Sequence, residues 1–223
     1  MSKFPGIQKS TNRVNYYKKS LEEIANIQKE GKKPSLLMHA CCAPCSSFPL
    51  EFLEPIFNVT IYYNNSNIYP SSEYERRLNE LKQFLENYHP EVQLIVPPYD
   101  NENYTKKLEP LKDLPEGRER CFLCYTLRMN EAYQYAEDNH FDYFTTVMTI
   151  SRQKDSQKLN AIGQQLSLKH PTVKYFYSDF KKNKGIDRSV EISKELNLYK
   201  QDYCGCKYSY EKRQKDKATN NES

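Results

Sequence analysis

The chain has 223 residues, 38% of them apolar and 28% charged, with a net charge of +4. That length buries a core without disulfide staples, and no stretch approaches the roughly 20 consecutive apolar residues of a membrane-spanning helix, which argues against a membrane protein. The opening residues MSKFPGIQKSTNRVNYYKK lack the apolar centre of a secretory signal, so a cytoplasmic protein is expected.

Residues 1–13 read as a flexible, polar N-terminus, residues 14–213 as a single α/β domain, and residues 214–223 as a disordered polar tail. Within the domain, VNYYKKSLEEIANIQKE has helical periodicity over 14–30, with Gly31 as its stop. SLLMHA, from Ser35 to Ala40, reads as a first strand, and a helix follows from Ser46 to Leu53. FNVTIYYNN has the β-branched and aromatic content of a second strand. SSEYERRLNELKQFLEN, 71–87, predicts a helix with serine caps and acidic residues in its first turn. VQLIV, 92–96, predicts a third strand, and residues 103–140 are mostly helical. DYFTTV, 142–147, predicts a fourth strand, 153–168 a helix, TVKYFY, 172–177, a fifth strand, and Asp187 to Leu198 a last helix. Strands alternating with helices predict an α/β fold with a mainly parallel sheet covered on both faces, and ligands in such folds sit beyond the carboxyl ends of the strands.

The seven cysteines fall into three groups: Cys41, Cys42 and Cys45; Cys121 and Cys124; Cys204 and Cys206. In a reducing compartment such clustering points to metal binding or redox chemistry rather than to a disulfide framework. A C-x-x-C turn aims two sulfurs at one centre, and two such contributions make a four-thiolate site for zinc or an iron–sulfur cluster. Neighbouring residues of an extended chain point apart, so Cys41 and Cys42 share a centre only if the chain kinks between them; spacing alone pairs Cys42 with Cys45. Arg118, Arg120 and Arg128 flank the second pair and either depress thiol pKa or solvate a helix face. Glycine between Cys204 and Cys206 gives the freedom that a small disulfide ring needs, so this pair reads as a redox couple, or else as the completion of a metal site.

The ordered set HACCAPCS, YYNNSNIYPSSEYERR, RCFLCYTLRM, FTTVMTISRQKDSQKLNAIG and LYKQDYCGCKYS closely resembles the QueH family of epoxyqueuosine reductases from about Leu36 to Ser209. The resemblance implies a Rossmann-like three-layer sandwich, of the HUP or adenine nucleotide alpha hydrolase-like type related to PP-loop enzymes. In those enzymes the loop after the first strand cradles phosphate; here CCAPCSS has no glycine, so close backbone approach to a pyrophosphate is not expected. The activity implied is reduction of epoxyqueuosine to queuosine at the wobble position of tRNA, with electrons from an unidentified donor. Family likeness assigns a 4Fe–4S cluster to Cys41, Cys42, Cys121 and Cys124, overriding the spacing argument, and a redox-active disulfide to Cys204 and Cys206. Cys45 is left for a second adjacent metal ion or for the cluster's surroundings.

His39, Glu73 and Asp155 are candidate proton donors, each also open to a structural role. Arg76, Arg77, Arg152, Lys154, Lys181, Lys182, Lys184 and Arg188 are candidates for tRNA phosphates, against the ordinary alternative of solvated charge. Tyr69, Tyr74 and Tyr203 are candidates for stacking an unpaired base, or else for closing the core. The rival readings are a zinc-bearing RNA-binding module without activity and a thiol oxidoreductase acting on proteins; the order of strands and helices does not fit a thioredoxin-like fold.

Overall fold

Leu36, Leu37 and Met38 show how the two faces of the protein are made. The computed structural model describes residues 13–221. In it, Leu36 and Met38 enter one apolar core with Leu50, Leu53, Leu81 and Phe84, while Leu37 enters a second with Met129, Tyr133, Phe144 and Leu159. Successive strand residues point to opposite faces, and a strand buried on both has no polar side, which explains the unbroken apolar run.

The five strands are β1 (Ser35–His39), β2 (Asn58–Tyr62), β3 (Gln93–Ile95), β4 (Tyr143–Thr146) and β5 (Lys174–Tyr175). They form one all-parallel sheet in the order β3-β2-β1-β4-β5, with Leu36 opposite Val59 on one side and Tyr143 on the other. The chain thus builds outward from β1 to β3, then crosses to β4 on the other side of β1. The carboxyl ends of β1 and β4 flank the point where the order reverses, the place where such sheets bind ligands.

Helices α1 (Tyr16–Glu30), α2 (Ala43–Leu53) and α3 (Ser71–Tyr88) pack on the first face; α5 (Glu119–Asp138) and α6 (Ser156–Ser167) pack on the second. Asn15 caps α1 by accepting from the Lys18 N–H, and Gly31 ends it at φ 64°, as the sequence predicts. Helix α2 begins three residues earlier than predicted, because Pro44 fits a first turn whose N–H needs no partner. The serine caps expected for α3 are absent: Ser71 is already helical, Pro70 precedes it without a side-chain cap, and Glu73 is the acid in the first turn. Between β3 and β4, α4 (Asn101–Leu108) and a single 3-10 turn (Glu109–Leu111) precede α5. Helix α7 (Gly185–Glu195) is fastened to α2, where Ser189 Oγ donates to the Pro44 carbonyl at 2.8 Å.

The tail differs from expectation. Helix α8 (Lys207–Asn221) continues beyond Arg213, where composition suggested disorder, and Asp202 accepts from both Arg213 (3.0 Å) and Lys217 (2.9 Å) along its side. The flexible segment expected for residues 1–13 lies outside the described residues, Arg13 apart. Among the described residues no helix is long and apolar enough to cross a membrane.

Candidate metal centre

β1 ends where the Ala40 N–H bonds to the Tyr62 carbonyl at 3.1 Å. The chain then bends at Cys41, and Cys42 adopts an extended conformation (φ −173°, ψ 161°) immediately before α2. The bend supplies the required kink: the Sγ atoms of Cys41 and Cys42 are 3.9 Å apart, and those of Cys41, Cys42 and Cys45 all lie within 4.8 Å of one another. Cys45 therefore joins both neighbours instead of pairing with Cys42 alone. Gln201 Nε2 donates to Cys42 Sγ at 3.3 Å, bringing in the segment before α8.

Cys121 and Cys124 sit one turn apart on buried positions of α5, outside that compact trio. The Gly117 N–H donates to Cys121 Sγ (3.2 Å) and the Tyr104 hydroxyl to Cys124 Sγ (3.3 Å). Of the flanking arginines, Arg120 is fixed on the Lys112 and Leu114 carbonyls, while Arg128 reaches the site. Arg128 is buried and donates through Nη2 to Asn65 Oδ1 at 2.5 Å; Asn65 Nδ2 in turn donates to the Ala40 carbonyl at 2.8 Å. This chain of hydrogen bonds ties α5 to the residue before Cys41.

The third group is held as firmly. Both Cys204 and Cys206 are half-buried free thiols. Arg77, 1% exposed, is paired with Glu73 at 2.7 Å and directs its two Nη atoms to the Cys204 and Tyr203 carbonyls at 3.4 Å each. The Gly205 carbonyl accepts from the Tyr69 N–H at 2.8 Å. Gly205 has φ 121°, and a Cβ there would lie 3.0 Å from Arg77 Nη1 and 3.3 Å from Ile68 Cγ1. Gly205→Ala is therefore expected to cost about 1–3 kcal/mol, read as a lower midpoint of urea unfolding with bound metal unchanged. An unaltered midpoint would show that this loop relaxes freely.

Electrostatics joins the three groups. Hydrogen bonds from Cys42 and Cys45 hold the Cys41 thiol well below its ordinary pKa against the opposing effect of burial, with Arg128 and Lys154 adding to the shift. Cys42, which donates to Cys41, is pushed up to about 12, and burial raises Cys121 and Cys124. Burial and the Cys204 thiol push Cys206 up to about 12. Burial disfavours the charge on Lys154, but Cys204, Cys41, Tyr125 and Cys45 outweigh it and raise the ammonium pKa. Arg128 is subject to the same balance, with Cys124, Cys41 and Cys204 opposing burial, and Arg77 feels Glu73, Cys42 and Cys41. Arg128 and Arg77, both buried, and the half-buried Lys154 thus stand among thiols from distant segments, and buried charge persists only beside counter-charge. A soft, anionic, sulfur-ligated metal centre fits this donor set.

Several predicted contacts take other roles. Arg77 is buried and unable to meet phosphate. Lys181 donates to the Thr149 carbonyl (2.8 Å) and pairs with Asp179, so it braces the loop after β4. Arg188 is clamped to Glu51 at 2.8 Å, and Arg76 lies 3.4 Å over the Tyr199 ring. Lys182 and Lys184 are exposed, as is Arg152, which lies 3.9 Å from Asp187. Tyr74 is buried against Tyr63 and Tyr99, while Tyr69 and Tyr203 remain part-exposed beside the C-x-C loop. His39 is fully buried on Thr146 Oγ1 (2.8 Å), and burial drives its pKa well down, which disfavours the imidazolium that a general acid would need. Asp155 caps α6 and Glu73 holds Arg77. Sequence reasoning passed over Asn64, Asn65, Asn67, Tyr104 and Gln201; the polar run NNSN directly after an apolar strand was the available signal.

The family model described as "Epoxyqueuosine reductase QueH" matches residues 36–212. Curated proteins of that name are similar along most of the chain. One from Streptococcus pyogenes serotype M1 is 40% identical over 198 residues, covering 86% of this chain and 77% of the relative. One from Staphylococcus aureus is 37% identical over 212 residues (92% and 88%), and one from Thermotoga maritima 32% over 188 residues (81% and 93%).

Proposed function

The chain belongs to the epoxyqueuosine reductase QueH family, and from that premise we propose that the thiols at the carboxyl edge of its sheet carry out the two-electron reduction of epoxyqueuosine to queuosine at the wobble position of tRNA. The observation that carries this reading is the convergence of the other two cysteine-bearing segments on the trio of Cys41, Cys42 and Cys45: Gln201, just before the C-x-C loop, donates to Cys42 Sγ, and Arg128, one turn beyond Cys124, is tied through Asn65 to the Ala40 carbonyl. We assign a 4Fe–4S cluster to Cys41, Cys42, Cys121 and Cys124, with Cys45 beside them for a second metal ion. When bound, such a cluster supplies one-electron transfer and a Lewis-acid centre.

The chain's own residues account for the rest. Cys204 and Cys206 pass from two thiols to one disulfide, releasing two electrons and two protons. The epoxide takes up both pairs, its two C–O bonds break, the oxygen leaves as water and a carbon–carbon double bond forms. One turnover therefore balances, and an external electron donor must reopen the disulfide before the next. Arg77 and the Tyr69 N–H hold the C-x-C loop in place, so the relay acts from a fixed position rather than on a swinging arm. The exposed cations Lys182, Lys184 and Arg152 suit the phosphates of tRNA, a substrate that puts the reaction in the cytoplasm.

Anaerobically purified protein is expected to be brown, to bleach under dithionite, and to convert epoxyqueuosine to queuosine in tRNA, seen by mass spectrometry of the nucleosides. A colourless, inactive protein with stoichiometric zinc would overturn the cluster and favour a structural metal in an RNA-binding module.

A further inference from the structure

Arg77 and the Tyr69 N–H hold the C-x-C loop beside α3, and a different set of contacts joins it to α5. Tyr208, two residues beyond Cys206, is half-buried in the first turn of α8. Its ring lies under the Arg120 guanidinium, whose Cζ is 4.6 Å from the ring centroid. Arg120 immediately precedes Cys121 and is only 6% exposed. Its Nη1 donates to the Lys112 carbonyl (2.5 Å) and to the Leu114 carbonyl (2.6 Å).

Tyr208 also packs against a small apolar cluster made of Tyr104, Leu108 and Cys124. Within that cluster the Tyr104 hydroxyl donates to the Cys124 carbonyl at 2.9 Å and to Cys124 Sγ at 3.3 Å. The next residue, Ser209, is buried; its Oγ accepts from Cys206 Sγ (3.4 Å) and donates to the Cys206 carbonyl (2.9 Å). The short segment from Cys206 to Ser209 thus ties one thiol of the C-x-C pair to the helix that carries the C-x-x-C pair. A cation attracts the face of an aromatic ring, more strongly as water is excluded. Because the guanidinium is anchored on two carbonyls, it fixes where the ring sits. The guanidinium contact uses the ring and not the hydroxyl.

We propose that Tyr208 is a positioning residue that sets the distance and orientation of the Cys204–Cys206 pair toward Cys121 and Cys124; this rests on the relay proposed above. Tyr208 acts through the loop and carries no electrons itself. Delivery from a dithiol depends on fixed geometry, and a misplacement of about 1 Å far from the chemistry costs up to about a hundredfold in rate.

The test uses full-length, cofactor-loaded protein. Alkylation of the dithiol form by iodoacetamide, followed by mass spectrometry, reports on the loop. Tyr208→Leu is expected to speed modification of Cys204 and Cys206 severalfold, with iron, sulfide and visible spectrum unchanged. In a single turnover driven by the dithiol alone, epoxyqueuosine in an anticodon stem-loop takes two electrons and two protons from the pair, which ends as a disulfide. The leucine variant should be slower here by about tenfold to a hundredfold. With dithionite supplying the two electrons and water the two protons, it should match wild type. Tyr208→Phe keeps a ring under the guanidinium and should restore both readings. Tyr208→Met gives the same comparison if the leucine variant fails to fold. Unchanged alkylation, or equal slowing with either electron source, overturns the proposal and leaves the activity standing. No queuosine from wild type by either route overturns the substrate assignment and the relay with it, whatever the alkylation shows.

Discussion

Cys121→Ser and Cys124→Ser will each lose most of the bound iron and all turnover. Serine presents a harder and much less acidic donor, so one corner of a thiolate-held cluster is left with a poor ligand. The fold should survive, because both positions lie on a helix that keeps its packing through Met129, Ala132 and Tyr133 on the second core. Iron and acid-labile sulfide per chain, with the visible spectrum and a circular-dichroism melt, separate the two effects. Normal iron and sulfide in both variants would remove this pair from the ligand set and leave the compact trio of Cys41, Cys42 and Cys45 to hold metal alone.

The second large effect concerns the C-x-C pair. Cys204→Ser and Cys206→Ser should keep the cluster spectrum and stop multiple turnover. Losing either thiol removes the two-electron store, while the assigned ligands lie in other segments. With the cluster reduced beforehand by a strong chemical reductant, single-turnover deoxygenation is expected to persist at a reduced level. In oxidised wild type, mass spectrometry after thiol blocking should find Cys204 bonded to Cys206. Loss of the cluster in either variant would make the pair metal ligands; full turnover in both would make them bystanders.

Much of this was legible in the sequence, for local reasons. The run SLLMHA and the 3.6-residue rhythm of α3 are properties of single segments, so their elements appear nearly where predicted. Parallel pairing followed from alternating strands and helices, but the order β3-β2-β1-β4-β5 depends on which edge each crossover takes, which no one segment records. TVKYFY gave only the two-residue strand Lys174–Tyr175, paired with Tyr143 and Phe144; β4 runs on to Thr146, but beyond that pairing the Phe176 carbonyl accepts from the Thr145 hydroxyl.

At the site, residue types were readable and roles less so. Spacing left Cys41 spare because it treats the chain as straight, whereas the bend ahead of Pro44 turns adjacent thiols together. Arg76 and Arg77 look alike as charges, yet Arg77 shares the helical stripe of Tyr74, Leu78 and Leu81 and is buried with them. That stripe was visible in the sequence; the carbonyls of Tyr203 and Cys204 that justify an arginine there come from more than a hundred residues away.

The hydrogen-bond chain from Arg128 through Asn65 to Ala40 bears on whether the fold depends on a bound metal. In small metal-folded modules, ligand-bearing segments come together only when the ion arrives, and folding and loading are a single event. Here a guanidinium and a carboxamide already hold α5 against the end of β1, and Arg77 already holds the C-x-C loop, using contacts that involve no sulfur atom. Because these contacts do not pass through a metal, the fold is expected to persist, as a cooperative circular-dichroism melt, when a chelator strips any bound metal; loss of that melt would make the fold metal-dependent.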